Sequence, residues 1–315
     1  IQLGIGGWQT IPAAEVARNG YGDCKALSNY MAAMLREVGI GSRYTIIQAG
    51  PGGLFTDVDF VHNQFNHAIL CVPLAKDTVW LECTSNTLPA GYLGDFTGNR
   101  YALIVDENGG TMVRTPTYKK EQNRQDRYVK AAVTPAGLTT VKAVTKYSGL
   151  QQDDLQGFTS TASKDKVLKM LRSRFDLPTY EVGNFAYKEK PGQNPLLEEE
   201  LEINVEGYAQ ISGKRLFLVP NLLTQSGRKY NADTARKFEV YLSYDYIDTD
   251  TVVIDLPAGY EPENIPKPVE IKSKFGEYSS KTTVEKQQLI YVRSVSQNSG
   301  LYPPAAFEEL RQYYL

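Results

Sequence analysis

The stretch Gly20–Gly39, GYGDCKALSNYMAAMLREVG, constrains the fold more than any other part of the chain. From Ala26 onward its apolar residues fall at Ala26, Leu27, Tyr30, Met31, Met34, Leu35 and Val38, the i, i+3/i+4, i+7 spacing of one helix face. Alanine, leucine, methionine and arginine are good helix formers, and Gly39 stands where a left-handed C-terminal cap is expected. Gly20 and Gly22 precede Asp23, a capping residue, so the helix is expected to begin at or next to Cys24. A thiol on the first turn meets unpaired backbone N–H groups and the positive end of the helix dipole. Both favour the thiolate and lower its pKa. The competing reading is a small apolar cysteine packed beneath the helix. The two glycines and the helix-start position favour the reactive reading.

The chain has 315 residues, of which 42% are hydrophobic, enough for a substantial core and for roughly two domains. Its formal net charge is −2 with no basic block, which argues against a nucleic-acid partner. No apolar run approaches the ~20 residues of a membrane span. The chain opens on IQLGIGG without an initiator Met and reads as a fragment or processed piece. Cys24, Cys71 and Cys83 are too few, and odd in number, for a disulfide framework. The two histidines are His62 and His67, and with no CxxC or HxxxH pattern neither a metal nor a cofactor is expected.

Taken in order, Ile1–Ile5 reads as a strand and Gly4–Gly7 as a turn into Trp8. GIGGWQ and the later GPGGLF lack the final glycine of a dinucleotide fingerprint and read as loops. Pro12 opens a short helix ending near Asn19 and Gly20. After the Cys24 helix, Ser42–Gln48 reads as a strand. Ala49–Gln64, with Pro51, three glycines and two aspartates, reads as a long surface loop leading to His67, and loops of that length are usually functional.

Asn66–Val72 and Thr78–Cys83 are apolar runs that read as an antiparallel hairpin around Pro73–Asp77. Residues 67 and 82 fall on one face in any register without an odd bulge. A tight turn at Lys76-Asp77 sets Cys71 opposite Glu82 and leaves His67 four residues away, about 13 Å along the strand. Contact between His67 and Glu82 therefore requires an asymmetric connection or a bulge. His67 alone is as consistent with a satisfied core histidine as with a catalytic one. Glu82, flanked by Trp80, Leu81 and Cys83, is costly on an apolar strand unless paired.

Three blocks, Gly22-Asp23-Cys24-Lys25, Phe65-Asn66-His67-Ala68 and Trp80-Leu81-Glu82-Cys83-Thr84, together resemble the transglutaminase-like superfamily. They are closest to its bacterial branch with an additional β-rich domain of unknown function. The resemblance covers about the first 115 residues. It implies an α+β fold whose cysteine core is papain/transglutaminase-like and lacks its N-terminal portion. It also implies Cys24 as nucleophile, His67 as its base and Glu82 as the acid that orients the histidine. The family acid is usually Asp in a WLDPT-like block, so Glu82 is one methylene longer and requires the strand to sit slightly farther back. Family members also carry further chain before the cysteine block, here only 23 residues, and the missing part is expected to pack on the core and to complete the oxyanion hole. Trp8, Gln9 and Asn66 are the residues present that could serve the oxyanion or bind substrate, although packing under the core suits Trp8 better.

Such a site performs acyl transfer. His67 accepts the thiol proton, Cys24 attacks a peptide or carboxamide carbonyl, and a thioester forms. His67 then protonates the departing amine while Glu82 fixes the ring tautomer. Water completes a protease, amidase or deamidase reaction, and a lysine amine gives a crosslink. The resemblance favours hydrolysis of a protein or peptide substrate in the bacterial periplasm or envelope, and no acidic cluster suggests a calcium-dependent crosslinker.

Tyr101–Val105 and Met112–Arg114 flank Glu107-Asn108-Gly109-Gly110, a hairpin signal that closes the first domain at residue 115. Residues 116–127 read as a polar linker and 128–315 as a β-rich accessory domain. Phe238, Val240, Leu242, Tyr244 and Tyr246 alternate with polar residues as one half-buried strand, and Val252, Ile254 and Leu256 repeat the pattern. Helices are expected over about Lys164–Phe175 and Ala305–Tyr313, within a β-sandwich-like domain. The 21 tyrosines suit strand packing. Two other classes stay open: a catalytically silent relative that binds protein or peptidoglycan peptides, and an envelope structural module in which the cysteine is incidental.

Overall fold

The computed structural model describes residues 7–50, 56–60, 62–224 and 236–314. The expected strand over residues 1–5 and most of the GPGGLF loop lie outside these residues. The fold is mixed α+β and divides into two compact units, Ile1–Tyr118 with Pro191–Pro195, and Lys119–Lys190 with Leu196–Leu315.

In the first unit, helices α1 (Ala13–Asn19) and α2 (Cys24–Glu37) precede strands β1 (Arg43–Ile47), β2 (His67–Pro73) and β3 (Thr78–Leu81). A short helix α3 (Gly94–Thr97) and strands β4 (Tyr101–Asp106) and β5 (Gly109–Arg114) follow. The strands form an antiparallel sheet in the order β3-β2-β1-β4-β5. β2 is buried from His67 through Val72, as an apolar run covered on both sheet faces should be. Ile47, Ile69, Cys71, Trp80, Leu93 and Ala102 form the core of this unit. α2 packs against β2, and its buried Ser28 hydroxyl donates to the Ala68 carbonyl at 3.1 Å.

The hairpin register differs from the sequence expectation. Leu70 pairs with Leu81, Cys71 with Trp80 and Pro73 with Thr78, so four residues, Leu74–Asp77, form the connection. The Leu74 N–H closes it on the Asp77 carbonyl at 2.8 Å. Pro73 cannot donate to the ladder, which fits its place as the last paired residue. Continued to residue 82, this register sets Glu82 level with Ile69, two residues from His67 rather than four.

The second unit begins with β6 (Arg124–Val133), β7 (Thr139–Ser148), α4 (Asp153–Thr159), α5 (Lys164–Leu171), β8 (Thr179–Lys190) and β9 (Leu196–Glu206). Strands β10 (Gln210–Ser212), β11 (Arg215–Phe217), β12 (Val240–Leu242), β13 (Tyr246–Asp255) and β14 (Val269–Ser273) follow. The unit ends with β15 (Gly276–Glu285), β16 (Gln288–Gln297), β17 (Gly300–Tyr302) and α6 (Phe307–Tyr313). Eight strands form one sheet in the order β14-β15-β16-β13-β6-β7-β9-β8, antiparallel except for the β13–β6 pair. Its inner face, with Val129, Ala143, Ile203 and Ile254, packs with Val167 and Leu171 of α5. Strict alternation of buried and exposed residues along β7 leaves the other face wet.

Three expectations change here. The strands expected as a sandwich pair into this single large sheet and two small two-stranded sheets, β10–β11 and β12–β17. The linker over 116–127 is already strand from Arg124 onward, because Arg127 is buried and sits 3.6 Å from the buried Asp250. The strand expected over 238–246 is broken: only Val240–Leu242 pairs before β13, and Phe238 is 81% exposed.

Candidate active site

α2 starts at Cys24 because Asp23 caps it, its Oδ1 accepting the Ala26 N–H at 2.9 Å. Two glycines allow the approach. Gly20 ends α1 in the left-handed region at φ 62°, and a Cβ on Gly22 would stand 2.8 Å from the Cβ of Ala26. Gly39 follows α2 at φ 76°. Lys25 pairs with Asp23 at 2.5 Å.

His67 opens β2 opposite Ile47 of β1 and is only 7% exposed. Its Nε2 lies 3.0 Å from each carboxylate oxygen of Glu82, whose side chain is 2% exposed. Glu82 is held in turn by the Thr84 N–H (3.1 Å), the Thr84 hydroxyl (2.6 Å) and the Thr97 hydroxyl (3.3 Å). The Phe96 ring meets the imidazole edge-on at a centroid distance of 5.2 Å. With Nε2 on the carboxylate, Nδ1 is the nitrogen left for Cys24, whose thiol lies close enough for each group to shift the other's pKa.

The shifts on Cys24, His67 and Glu82 each favour the charged form. Burial disfavours the Cys24 thiolate, but the His67 hydrogen bond, the Ala68 N–H and the charges of His67 and Lys25 outweigh it and hold the thiol below its ordinary pKa. Burial likewise works against the imidazolium, yet Cys24 and Glu82 push His67 up to about 9. Glu82 is held below the usual carboxylate range: burial opposes its charge, and His67 and Thr84 overcome that. The other two thiols go the other way. Burial raises Cys71, and burial raises Cys83 to about 11. All three cysteines are free, and among them Cys24 alone has its pKa lowered.

The auxiliary residues fall elsewhere. Trp8 does not pack under the core: it is 43% exposed and lines an open cavity. Gln9 is exposed. The Asn66 amide is committed to the main chain, accepting the Ala49 N–H at 2.7 Å and donating to the Ala49 carbonyl at 3.2 Å, so it positions the strand that carries His67. Sequence reasoning missed Thr97 and Arg100. The buried Arg100 guanidinium donates to the carbonyls of Gln48, Gly50, Asp95 and Gly98 and braces the chain around α3. It also missed Tyr44, which lies near enough to Cys24 and Asp23 to feel their charges. Burial first, then those charges, raises the Tyr44 phenol, and among the described residues its buried hydroxyl has no hydrogen-bond partner.

Among the described residues no group of three His, Cys, Asp or Glu side chains could hold a metal ion, and no helix is long and apolar enough to cross a membrane.

A thiol, an imidazole and a carboxylate in one chain, with the thiol at a helix start on an α+β core, define a thiol–imidazole–carboxylate class of site. Residues 6–84 match the family model of the transglutaminase-like superfamily. Residues 214–315 match a domain of unknown function, DUF3858. Among solved structures the chain is similar to the crystal structure of a protein named as a putative protease from Parabacteroides distasonis ATCC 8503, with 12% identity and a TM-score of 0.48. That likeness covers 95% of this chain and 42% of the other, so the chain spans less than half the length of its neighbour. No curated protein matches the chain.

Proposed function

We propose that the chain carries a cysteine hydrolase site that cleaves a peptide or carboxamide bond through a thioester on Cys24. The observation that carries this reading is the placement of the His67 ring between Cys24 and Glu82, with the thiol lowered and the imidazole raised. The lowered thiol and the raised imidazole favour transfer of the thiol proton to His67. The Cys24 sulfur attacks the carbonyl carbon, and the C–N bond breaks as His67 Nδ1–H protonates the departing amine. The neutral imidazole then takes a proton from water, whose oxygen attacks the thioester, and the acid and the thiolate are restored. Glu82 holds Nε2–H throughout and stabilises each imidazolium. In the first turn of α2 the Ala26 N–H is taken by Asp23, and the Cys24 N–H, which has no intrahelical partner, is suited to the oxyanion.

Alkylation of Cys24 by iodoacetamide tests the reading. Cys24 is expected to react well below pH 8 while Cys71 and Cys83 do not, and a peptide ester or amide is expected to leave an acyl adduct on Cys24, detected by intact mass. An inert Cys24 would instead favour the catalytically silent binding module. An envelope substrate, as the superfamily resemblance implies, is part of the same proposal, and turnover of envelope-derived peptides against soluble cytosolic ones tests it.

A further inference from the structure

Several large apolar side chains of the first unit are left exposed around one cavity. Trp8, Phe60 and Met112 are 43%, 65% and 37% exposed, and with Ile46, Phe65 and Leu103 they line a cavity of about 280 Å³. That is slightly smaller than the roughly 300–1,000 Å³ of sites that enclose a whole small molecule, and it suits a single large side chain.

The sheet register fixes where this cavity lies. Ala68 pairs with Ile46, Ile46 with Leu103, and Leu103 with Met112, one row running across β2, β1, β4 and β5. Residues paired across a sheet point to the same face, and neighbouring strands are about 4.8 Å apart. The row begins at Ala68, whose N–H faces the Cys24 sulfur, and its next three members floor the cavity. The apolar floor thus begins on β1, the strand beside β2, whose first residues His67 and Ala68 meet Cys24.

The opposing wall is preformed. Gln64 brackets Asp57, accepting its N–H at 2.8 Å and donating to its carbonyl at 2.7 Å, and Asp57 accepts the N–H groups of Asp59 and Phe60. The His62 ring lies against Phe60 at 5.7 Å between centroids. This wall runs directly into Phe65, Asn66 and His67, so the chain that shapes the cavity also carries the imidazole.

We propose that this cavity is a recognition subsite for one aromatic or large aliphatic side chain on the acyl side of the scissile bond. The proposal rests on the reading of Cys24 as nucleophile. An apolar cavity floored by the strands next to β2 selects among peptides by burying a ring, and a single methylene in such a pocket discriminates roughly 10–200-fold.

The test uses short acetyl-peptidyl chloromethyl ketones in which one Phe is moved through the three residues before the warhead of an otherwise alanine peptide. One Phe position is expected to alkylate Cys24 at least about tenfold faster than the all-Ala peptide. Met112→Asp and Trp8→Ala are each expected to reduce that preference to near unity. Iodoacetamide labelling, run in parallel, separates the two ideas. Fast iodoacetamide labelling with a flat Phe scan overturns the subsite and leaves the nucleophile standing. If Cys24 is inert to iodoacetamide, the nucleophile reading falls, and acetyl-Phe-amide titration judges the cavity alone. A saturable shift in emission that is absent from Trp8→Phe supports it, and no shift overturns it.

Discussion

His67 and Glu82 meet on the diagonal of the β2–β3 pair, Nε2 lying 3.0 Å from both carboxylate oxygens although Ile69 is the residue level with Glu82. A diagonal neighbour on one face is about 7 Å away, a gap that Glu and a histidine ring leaning together span. Glu82→Gln keeps that reach, but Gln cannot stabilise an imidazolium and can present its N–H₂ to Nε2, fixing the wrong tautomer. Turnover is expected to fall by up to about 10⁴, the loss known for the corresponding change in serine proteases, with little change in melting temperature. Near-full turnover in Glu82→Gln, on a substrate that Cys24→Ala cannot process, would reduce the machinery to Cys24 and His67.

Glu82→Asp separates reach from charge. The shorter side chain keeps a carboxylate but cannot meet His67, Thr84 and Thr97 at once. An intermediate loss is expected, larger in kcat than in KM, because the defect lies in the stabilised imidazolium and not in substrate contact. Steady-state kinetics of Glu82→Asp beside Glu82→Gln decide it, and equal losses in the two would show that reach limits the site as much as charge does.

The pH dependence follows from the two shifts of the pair. The thiolate–imidazolium form exists above the lowered pKa of Cys24 and below the raised pKa of His67, about 9. kcat/KM is expected to rise through an acid limb below the ordinary thiol value of 9.0 and to fall through an alkaline limb near about 9. Removing the charge in Glu82→Gln draws the alkaline limb down toward 6.5, the ordinary histidine value. An alkaline limb that stays in place in that variant would assign it to another group.

The helix that presents Cys24 was legible because its signals are local: Asp23 as cap, a 3.6-residue apolar period and a glycine after the last turn all lie within twenty residues. The three-block order then pointed to His67 and Glu82. The contact between them was not legible, since a four-residue turn and a two-residue turn differ by a register shift that alternation alone cannot fix. Thr97, Arg100 and Tyr44 were missed because each reaches the site only through tertiary packing. In the second unit α4 was missed since DDLQGFT, polar and holding Gly157, has little helical signal. The break after Leu242 was hidden because its flanking residues keep the alternating pattern while their backbone leaves the ladder.

The second unit holds a carboxylate that opposes its own stability. Asp248 of β13 accepts a hydrogen bond from Gln151 at 2.6 Å and lies near Asp250, Arg293 and Arg127. Burial raises it to about 7; Arg293 draws it down, while Asp250 adds to the rise. A carboxyl whose folded pKa exceeds its unfolded value of 3.8 contributes its stability below that value, and the contribution is lost as pH rises through about 7. Its neighbour Asp250 behaves differently, being 1% exposed and paired with Arg293 at 2.6 Å. Asp250→Asn leaves two arginines without their charge partner and is expected to cost about 3–5 kcal/mol. Asp248→Asn keeps the oxygen that accepts from Gln151 and removes the buried charge. It is expected to match the wild type near pH 4 and to exceed it by about 2 kcal/mol at pH 8. Urea unfolding at both pH values, followed through the strand signal of the large sheet, reads the difference. A variant no more stable than wild type at pH 8 would show that the surrounding arginines already compensate the Asp248 charge in full.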